Sequence, residues 1–418
     1  MRILRQWILL GAMLAATGVT AQDWPQWGGP NRNFTSSATG LAATWPASGP
    51  RLLWSRNLGE GYSAIAAEGN RIYTLYREKA GLLAIGKKDQ EVVVALDAAS
   101  GKTIWEHRYD APELPRMNLE YGPGPHATPL IVGNRIYTAG AMGHFFALNK
   151  NTGGAVWSHN LYDEFGVVWG RGYSCSPIAY KDTVILVTGK KGQSVIAFNQ
   201  ADGKVAWKAQ DFDYGPASPI VINVDGQDQL VLFMADGAVG LDPSNGALLW
   251  THPHKTDWGL NISTPVWGAG NILFLSSAYS GGSRALRLRQ KGGKTTVEEL
   301  WFSNRMRVHF GTAVRIGDFV YGSSGDFGPA FLAGVDLKTG RVAWQDRSFS
   351  RASMVHADGK LVVLDEDGHL ALVRVSPEGP NVLARAEILT RNAWTPPTLA
   401  GTRLFIRDRK TIRAFELK

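Results

Sequence analysis

An all-β, eight-bladed β-propeller of four-stranded antiparallel blades is the fold class that this sequence predicts, and three observations predict it. A strand–turn–strand unit ending in tryptophan recurs along the chain. Runs of β-branched and aromatic residues bounded by Gly, Asn or Asp appear eight times. A strand-like stretch near the beginning has no partner of its own until the last strand-like stretch of the chain. The recurring unit is clearest at 92–105, where Asp97 can accept hydrogen bonds from the turn backbone and Gly101 can take the positive φ that closes a hairpin before Trp105. It returns at Ala147-Leu148-Asn149 with Gly153 and Trp157, and at Ala197-Phe198-Asn199 with Gly203 and Trp207. Further copies are Gly240-Leu241-Asp242 with Gly246 and Trp250, and Val335-Asp336 with Gly340 and Trp344. Self-similarity every roughly 40 to 50 residues, in units of short strands, marks propeller blades.

Taken from the start, residues 1–21 read as a signal peptide. Arg2 and Arg5 supply the positive end, 7–16 the apolar stretch, and Val19-Thr20-Ala21 a small-residue cleavage site. The apolar run is too short to span a bilayer and no comparable run follows, so no transmembrane segment is expected. With no cysteine near the cleavage site, a lipid anchor is not expected either. The mature protein is expected to be periplasmic or secreted, and monomeric. Residues 22–50 are irregular, and their Trp, Pro and Gly content suits an arm packed on a larger body. The formal net charge of +8 is spread thinly, with no basic block interleaved with aromatics, which argues against a nucleic-acid partner. Cys175 is the single cysteine, so an oxidising compartment offers no internal disulfide and stability must come from packing.

The remainder, 51–418, parses as one propeller domain. Second strands of successive blades are expected at 71–75, 135–138, 184–187, 230–233, 272–275, 319–321, 361–364 and 404–406. Outer strands carrying Trp105, Trp157, Trp207, Trp250, Trp301 and Trp344 close six blades. The seventh has Val382-Leu383-Ala384 where the tryptophan strand belongs, and the eighth lacks an outer strand after 412–417. The stretch Leu52-Leu53-Trp54-Ser55 is expected to supply it, so that the N-terminal strand pairs with the C-terminal strand and two sheet edges disappear together.

These repeats resemble the pyrroloquinoline-quinone (PQQ) repeat of eight-bladed propellers, and Trp24 to Arg32 resembles the Trp-Pro-Gln-Trp arm of exported PQQ-binding-like propeller proteins. The resemblance covers 23–418. It implies that the tryptophans dock between neighbouring blades. On activity it points two ways, because the family includes quinoprotein alcohol dehydrogenases holding PQQ and calcium over the central funnel, and BamB-type scaffolds that bind no quinone. The chain lacks the adjacent cysteine pair of many such dehydrogenases and any Cys-x-x-Cys-His for haem attachment. It also lacks the lipid-anchor cysteine typical of the scaffold.

Polar residues that can converge in a propeller lie at the starts of inner strands and in the loops of the same face. In order these are Tyr62, Tyr121 with His126, Arg171 with Tyr173, Tyr214, Trp258 with Asn261, His309, Arg351, and Asn392 with Trp394. Aromatic, basic and amide groups of this kind suit a flat or acidic ligand, and equally a water-filled funnel whose side chains bond one another. The favoured reading is a non-catalytic binding or scaffold protein that meets an unknown protein or small molecule at the funnel face, with no cofactor. The alternative is a PQQ- and calcium-dependent dehydrogenase of alcohols or sugars. For it, Trp169 or Trp258 would stack on the quinone, Arg171 would pair with a carboxylate, Asn261 and Asp326 would offer oxygens to calcium, and Asp257 would be the base. His126, His309 and Arg351 complete the set of candidate cofactor contacts. The acidic run at 365–367 followed by His369 reads as a hairpin turn rather than a metal site.

Overall fold

The computed structural model describes residues 23–81, 86, 88–115 and 117–418; the predicted signal peptide lies outside them. Eight four-stranded antiparallel sheets are present. The first is built from Ala66–Glu68, Arg71–Glu78, Gln90–Asp97 and Thr103–Asp110. Six more follow at 130–160, 178–209, 220–253, 266–303, 314–346 and 352–387. The eighth takes Thr398–Ala400, Arg403–Arg407 and Thr411–Glu416 from the end of the chain and Arg51–Asn57 from its beginning. Trp54 pairs with Ala414 and Asn57 with Thr411, which closes the ring. The eight predicted β-branched runs are the second strands, each almost wholly buried because both faces pack on neighbouring blades.

In every blade the outermost strand carries a one-residue bulge immediately before the tryptophan position. Ala95 pairs with Trp105 but Leu96 with Thr103, which leaves Ile104 extra. The extra residue is Val156, Ala206, Leu249, Leu300, Ala343, Leu383 and Leu53 in the other seven. A bulge bends its strand and re-aims the next side chain. Here it turns the tryptophan toward the following blade, where the indole N–H of Trp105 donates to Lys150 O at 3.0 Å and that of Trp157 to Gln200 O at 3.0 Å. Trp54, Trp301 and Trp344 do the same to Ala98, Leu337 and Ser376. The residue paired with each tryptophan is small: Ala95, Ala147, Ala197, Gly240, Ala285, Gly334 or Ala414. The seventh blade reverses the sizes, with Leu372 opposite Ala384.

Residues 23–50 run across the inner strands. Trp24 and Ala67 exchange two backbone hydrogen bonds of 2.8 Å, and Ile131 N donates to Pro25 O at 2.8 Å. Arg32 is buried and donates from Nε to Pro219 O at 2.8 Å and from Nη1 to Pro177 O at 3.1 Å. Ser36 N then reaches His356 O at 2.8 Å. The segment therefore ties the first four blades to the seventh. Among the described residues no helix is long and apolar enough to cross a membrane.

Candidate functional site

Antiparallel four-stranded blades send two kinds of loop to one face: those between second and third strands, and those leading from each outermost strand to the next blade. The second kind surrounds a cavity of about 390 Å³. One such loop contains a single helical turn, Leu161–Phe165, started by Asn160, whose Oδ1 accepts from Tyr162 N and Asp163 N, and ended by Gly166 in the left-handed region. Lys190 Nζ caps it by donating to Phe165 O at 2.8 Å. This turn roots the segment that delivers Trp169 and Arg171. Asn118 N, from the preceding loop, donates to Gly170 O at 2.7 Å and binds the two loops together.

One wall of the cavity is aromatic, and its Trp394, Arg351, Tyr279 and His309 are paired with neighbouring groups. The Trp394 ring lies 5.1 Å from Tyr62 and 5.2 Å from Phe310, and its N–H donates to Glu366 Oε2 at 3.0 Å. Glu366 Oε1 accepts from Arg351 Nε at 3.0 Å, and Arg351 Nη1 also donates to Asp326 O at 3.2 Å. The Tyr279 hydroxyl lies 2.5 Å from His309 Nε2. Burial, with the Arg351 charge adding to it, pushes His309 down to about 4, so the imidazole is neutral at pH 7.

The opposite wall carries Arg171, whose guanidinium sits 5.2 Å above the Tyr121 ring and 4.0 Å from Glu120. His126 stacks on Tyr62 at 5.8 Å, and burial holds it down at about 4 as well. Trp169 packs 4.7 Å from Tyr173 and donates its N–H to Thr188 O at 3.2 Å. Trp27, from the N-terminal segment, completes the lining, with its N–H on Thr264 Oγ1 at 2.8 Å. No Asp or Glu is among the lining residues. Cys175 is buried nearby, and burial pushes its thiol up to about 12, which keeps it protonated and unreactive.

Of the residues singled out from the sequence, His126, Trp169, Arg171, His309 and Arg351 line the cavity, as do Tyr62, Tyr121, Tyr214 and Trp394. Asp257, Trp258, Asn261 and Asp326 do not. Trp258 is 59% exposed and leans on Tyr279 and Phe327 at the rim. Asp257 is exposed, with its carboxylate on Ser280 Oγ at 2.7 Å. Asn261 is fully buried; its Nδ2 donates to Met234 O and His254 O, and its Oδ1 accepts from Ser277 Oγ at 2.5 Å. The Asp326 carboxylate accepts from Tyr279 N, Phe327 N and Arg307. Among the described residues no group of three or more His, Cys, Asp or Glu side chains is placed to hold a metal.

Sequence reasoning passed over Trp27, Tyr279 and Phe310 as funnel residues. Tyr279 had a signal, since it sits between the second and third strands of its blade and so on this face. Phe310 follows His309 directly. Trp27 had none, because nothing local tells where an irregular segment packs.

A family model described as outer membrane protein assembly factor BamB matches residues 88–346. The chain is 24% identical over 308 residues to the outer membrane protein assembly factor BamB of Moranella endobia, covering 73% of this chain and 65% of that protein. It is 28% identical over 204 residues to quinohemoprotein alcohol dehydrogenase ADH IIB of Pseudomonas putida, covering 44% of this chain and 28% of that enzyme. The chain thus spans less than two thirds of the length of either relative. Among solved structures, BamB from Moraxella catarrhalis superposes with a TM-score of 0.58 at 18% identity, over 88% of this chain and 97% of that one. That likeness concerns the fold alone.

Proposed function

We propose, from the premise that this chain belongs to the PQQ-repeat propeller family described as outer membrane protein assembly factor BamB, that it is an exported, non-catalytic binding protein whose funnel takes a ligand or a partner. The observation that carries this reading is the cavity of about 390 Å³, walled by aromatic rings and two arginines with no carboxylate among its lining residues. Binding sites are concave and mostly apolar, with a few convergent polar groups, and this one has that composition. Among the described lining residues there is no carboxylate to act as base, which is why binding is preferred to catalysis. Export rests on the charged, apolar and small-residue order of 1–21.

To test it, wild-type protein and a Trp394→Ala variant would be used to capture partners from the exported fraction. A partner retained by the wild type and lost by the variant is expected; equal capture by both overturns the reading.

The second reading, a PQQ- and calcium-dependent dehydrogenase, draws on the match to the Pseudomonas enzyme and on the aromatic wall. The donors offered for calcium do not suit it. The Asn261 oxygen is already bound to Ser277 and is buried away from the cavity, and the Asp326 carboxylate is held by two backbone N–H groups and Arg307. Calcium requires six to eight oxygen ligands, and these two side chains are already committed elsewhere. A thermal shift with PQQ and calcium, together with dye reduction by alcohols that is lost on Asp257→Asn, would favour this reading over the first.

A further inference from the structure

We propose that the funnel ligand has an apolar or aromatic body and one carboxylate, the carboxylate meeting Arg171 and the body lying along the wall of Trp394, Phe310 and Tyr279. This rests on the reading of the funnel as the binding site and specifies what enters it.

The cavity has two chemically different sides. On one, polar groups lack partners. Among the described residues Arg171 donates no hydrogen bond, and its buried Nη1 has only the exposed Glu120 carboxylate near it, at 4.0 Å, beyond hydrogen-bond reach. The Tyr62 hydroxyl is likewise unpartnered on a residue only 8% exposed. Asn118 uses its Oδ1 on Glu120 N at 2.9 Å, and among the described residues its Nδ2 donates to nothing. On the other side the polar side chains pair with one another. The Trp394 N–H and Arg351 share Glu366, and Tyr279 and His309 bond each other.

Chemistry follows from that asymmetry. A wholly apolar occupant would strip water from Arg171 and return nothing to it, which is costly. An occupant polar all round would present unmatched groups to a wall with none to spare. An amphipathic one satisfies both sides. A carboxylate is the acceptor that matches a guanidinium in charge and fork geometry. The number is one because Arg351, the other arginine among the described lining residues, is already paired with Glu366 at 3.0 Å. His126 and His309 are neutral at pH 7, so neither supplies a further cation. A polycarboxylate would therefore meet more uncompensated charge than it neutralised.

Two sources can present this chemistry: a free aromatic acid, or the C-terminal residue of a peptide. Trp258 and Phe327, which are 59% and 69% exposed and stand 5.8 Å apart, both pack on the cavity-lining Tyr279 and form a track that a longer chain would cover.

Isothermal titration and tryptophan fluorescence would be run on the mature protein with four probes. These are N-acetylphenylalanine, its amide, benzene-1,2-dicarboxylate, and a pentapeptide ending in phenylalanine. The acid is expected to bind at least about tenfold more tightly than the amide, as a charge-assisted hydrogen-bonded pair requires. Arg171→Gln should erase that preference and Arg171→Lys should keep part of it, with thermal unfolding confirming that both variants fold. The dicarboxylate should bind no more tightly than the acid. Equal binding of acid and amide, or a preference that survives Arg171→Gln, overturns the inference while leaving the funnel as a binding site. If no probe binds and Trp394→Ala alters no partner capture, the funnel reading falls with it. A peptide gain that disappears in Trp258→Ala identifies a polypeptide end as the source; no gain identifies the free acid.

Discussion

Trp54, Trp105, Trp157, Trp207 and Trp301 each rest on a glycine of the next blade, and the pair explains why both residues recur. Gly101 has φ +69°, and a Cβ built there would lie 2.6 Å from the Trp54 ring; at Gly203 the values are +76° and 2.7 Å from Trp157. The turn needs a residue that tolerates positive φ, and the indole needs one with no side chain. Gly203→Ala should therefore destabilise by more than φ strain alone. Trp157→Ala should cost about 3–5 kcal/mol by cavity formation. Because the two share one contact, the double variant should cost less than the sum. Chemical denaturation of the three proteins checks this, and strict additivity would mean that the glycine does not feel the ring. Histidines give a second residue-scale prediction. Burial lowers His126 and His309 to about 4 and His254 to about 3, from an ordinary 6.5. Between those values the unfolded chain binds protons that the folded one does not, so stability falls as the pH drops from about 6.5 toward 4. The melting temperature should decline over that window, and His126→Gln should flatten part of the slope.

At the scale of elements, the pairing of a large with a small residue across the third and fourth strands sets how far each outer strand stands from its blade. The seventh blade has lost its tryptophan yet keeps the bulge at Leu383, because Leu372 fills the volume that Ala384 leaves. Ala147→Leu in the second blade, where Trp157 is still opposite, should overpack and cost about 1–3 kcal/mol. The same change made together with Trp157→Ala should recover stability, as measured by thermal unfolding. The N-terminal segment is held differently, by Arg32, a buried cation whose donors all go to backbone carbonyls and to Gln26. Burial lowers it to about 9, so it remains charged at pH 7. Arg32→Met would leave Pro219 O and Pro177 O without their partner. Limited proteolysis should then cut within 23–45 while the propeller body survives; unchanged resistance would show that Trp24 and Trp27 hold the segment without it.

At the scale of the molecule, a ring is as strong as its closure. The pairing of Arg51–Asn57 with Thr411–Glu416 removes the edges that the first and last blades would otherwise present. Deleting 51–58 should expose the strand at 411–416, lower the melting temperature and promote association, as seen by light scattering. A deletion variant that keeps both its melting temperature and its monomeric scattering would show that the ring closes without that strand.

Blade number, strand order and closure were legible in the sequence because they depend on local periodicity. The β-branched runs, the Asp and Gly turns and the tryptophans each report on a few neighbouring residues, and repetition multiplies a weak signal. The ring of Tyr62, His126, Arg171, Tyr214, His309, Arg351 and Trp394 was also legible, since blade topology sends the start of each inner strand to one face. What the sequence could not decide was how those side chains spend their hydrogen bonds. Asn261 and Asp326 look like ligands in a list of residue types, but one is buried among carbonyls and the other is held by backbone N–H groups. Arg171 and Arg351 look alike, but Arg351 is hydrogen-bonded to a buried Glu366 at 3.0 Å, while Arg171 has only the exposed Glu120 at 4.0 Å. Trp27 reaches the cavity because Arg32 and Trp24 fix an irregular segment to distant strands. Such outcomes depend on which side chains the folded loops bring together, from 15 positions apart for Arg351 and Glu366 to 187 for Arg32 and Pro219, and no local pattern encodes them.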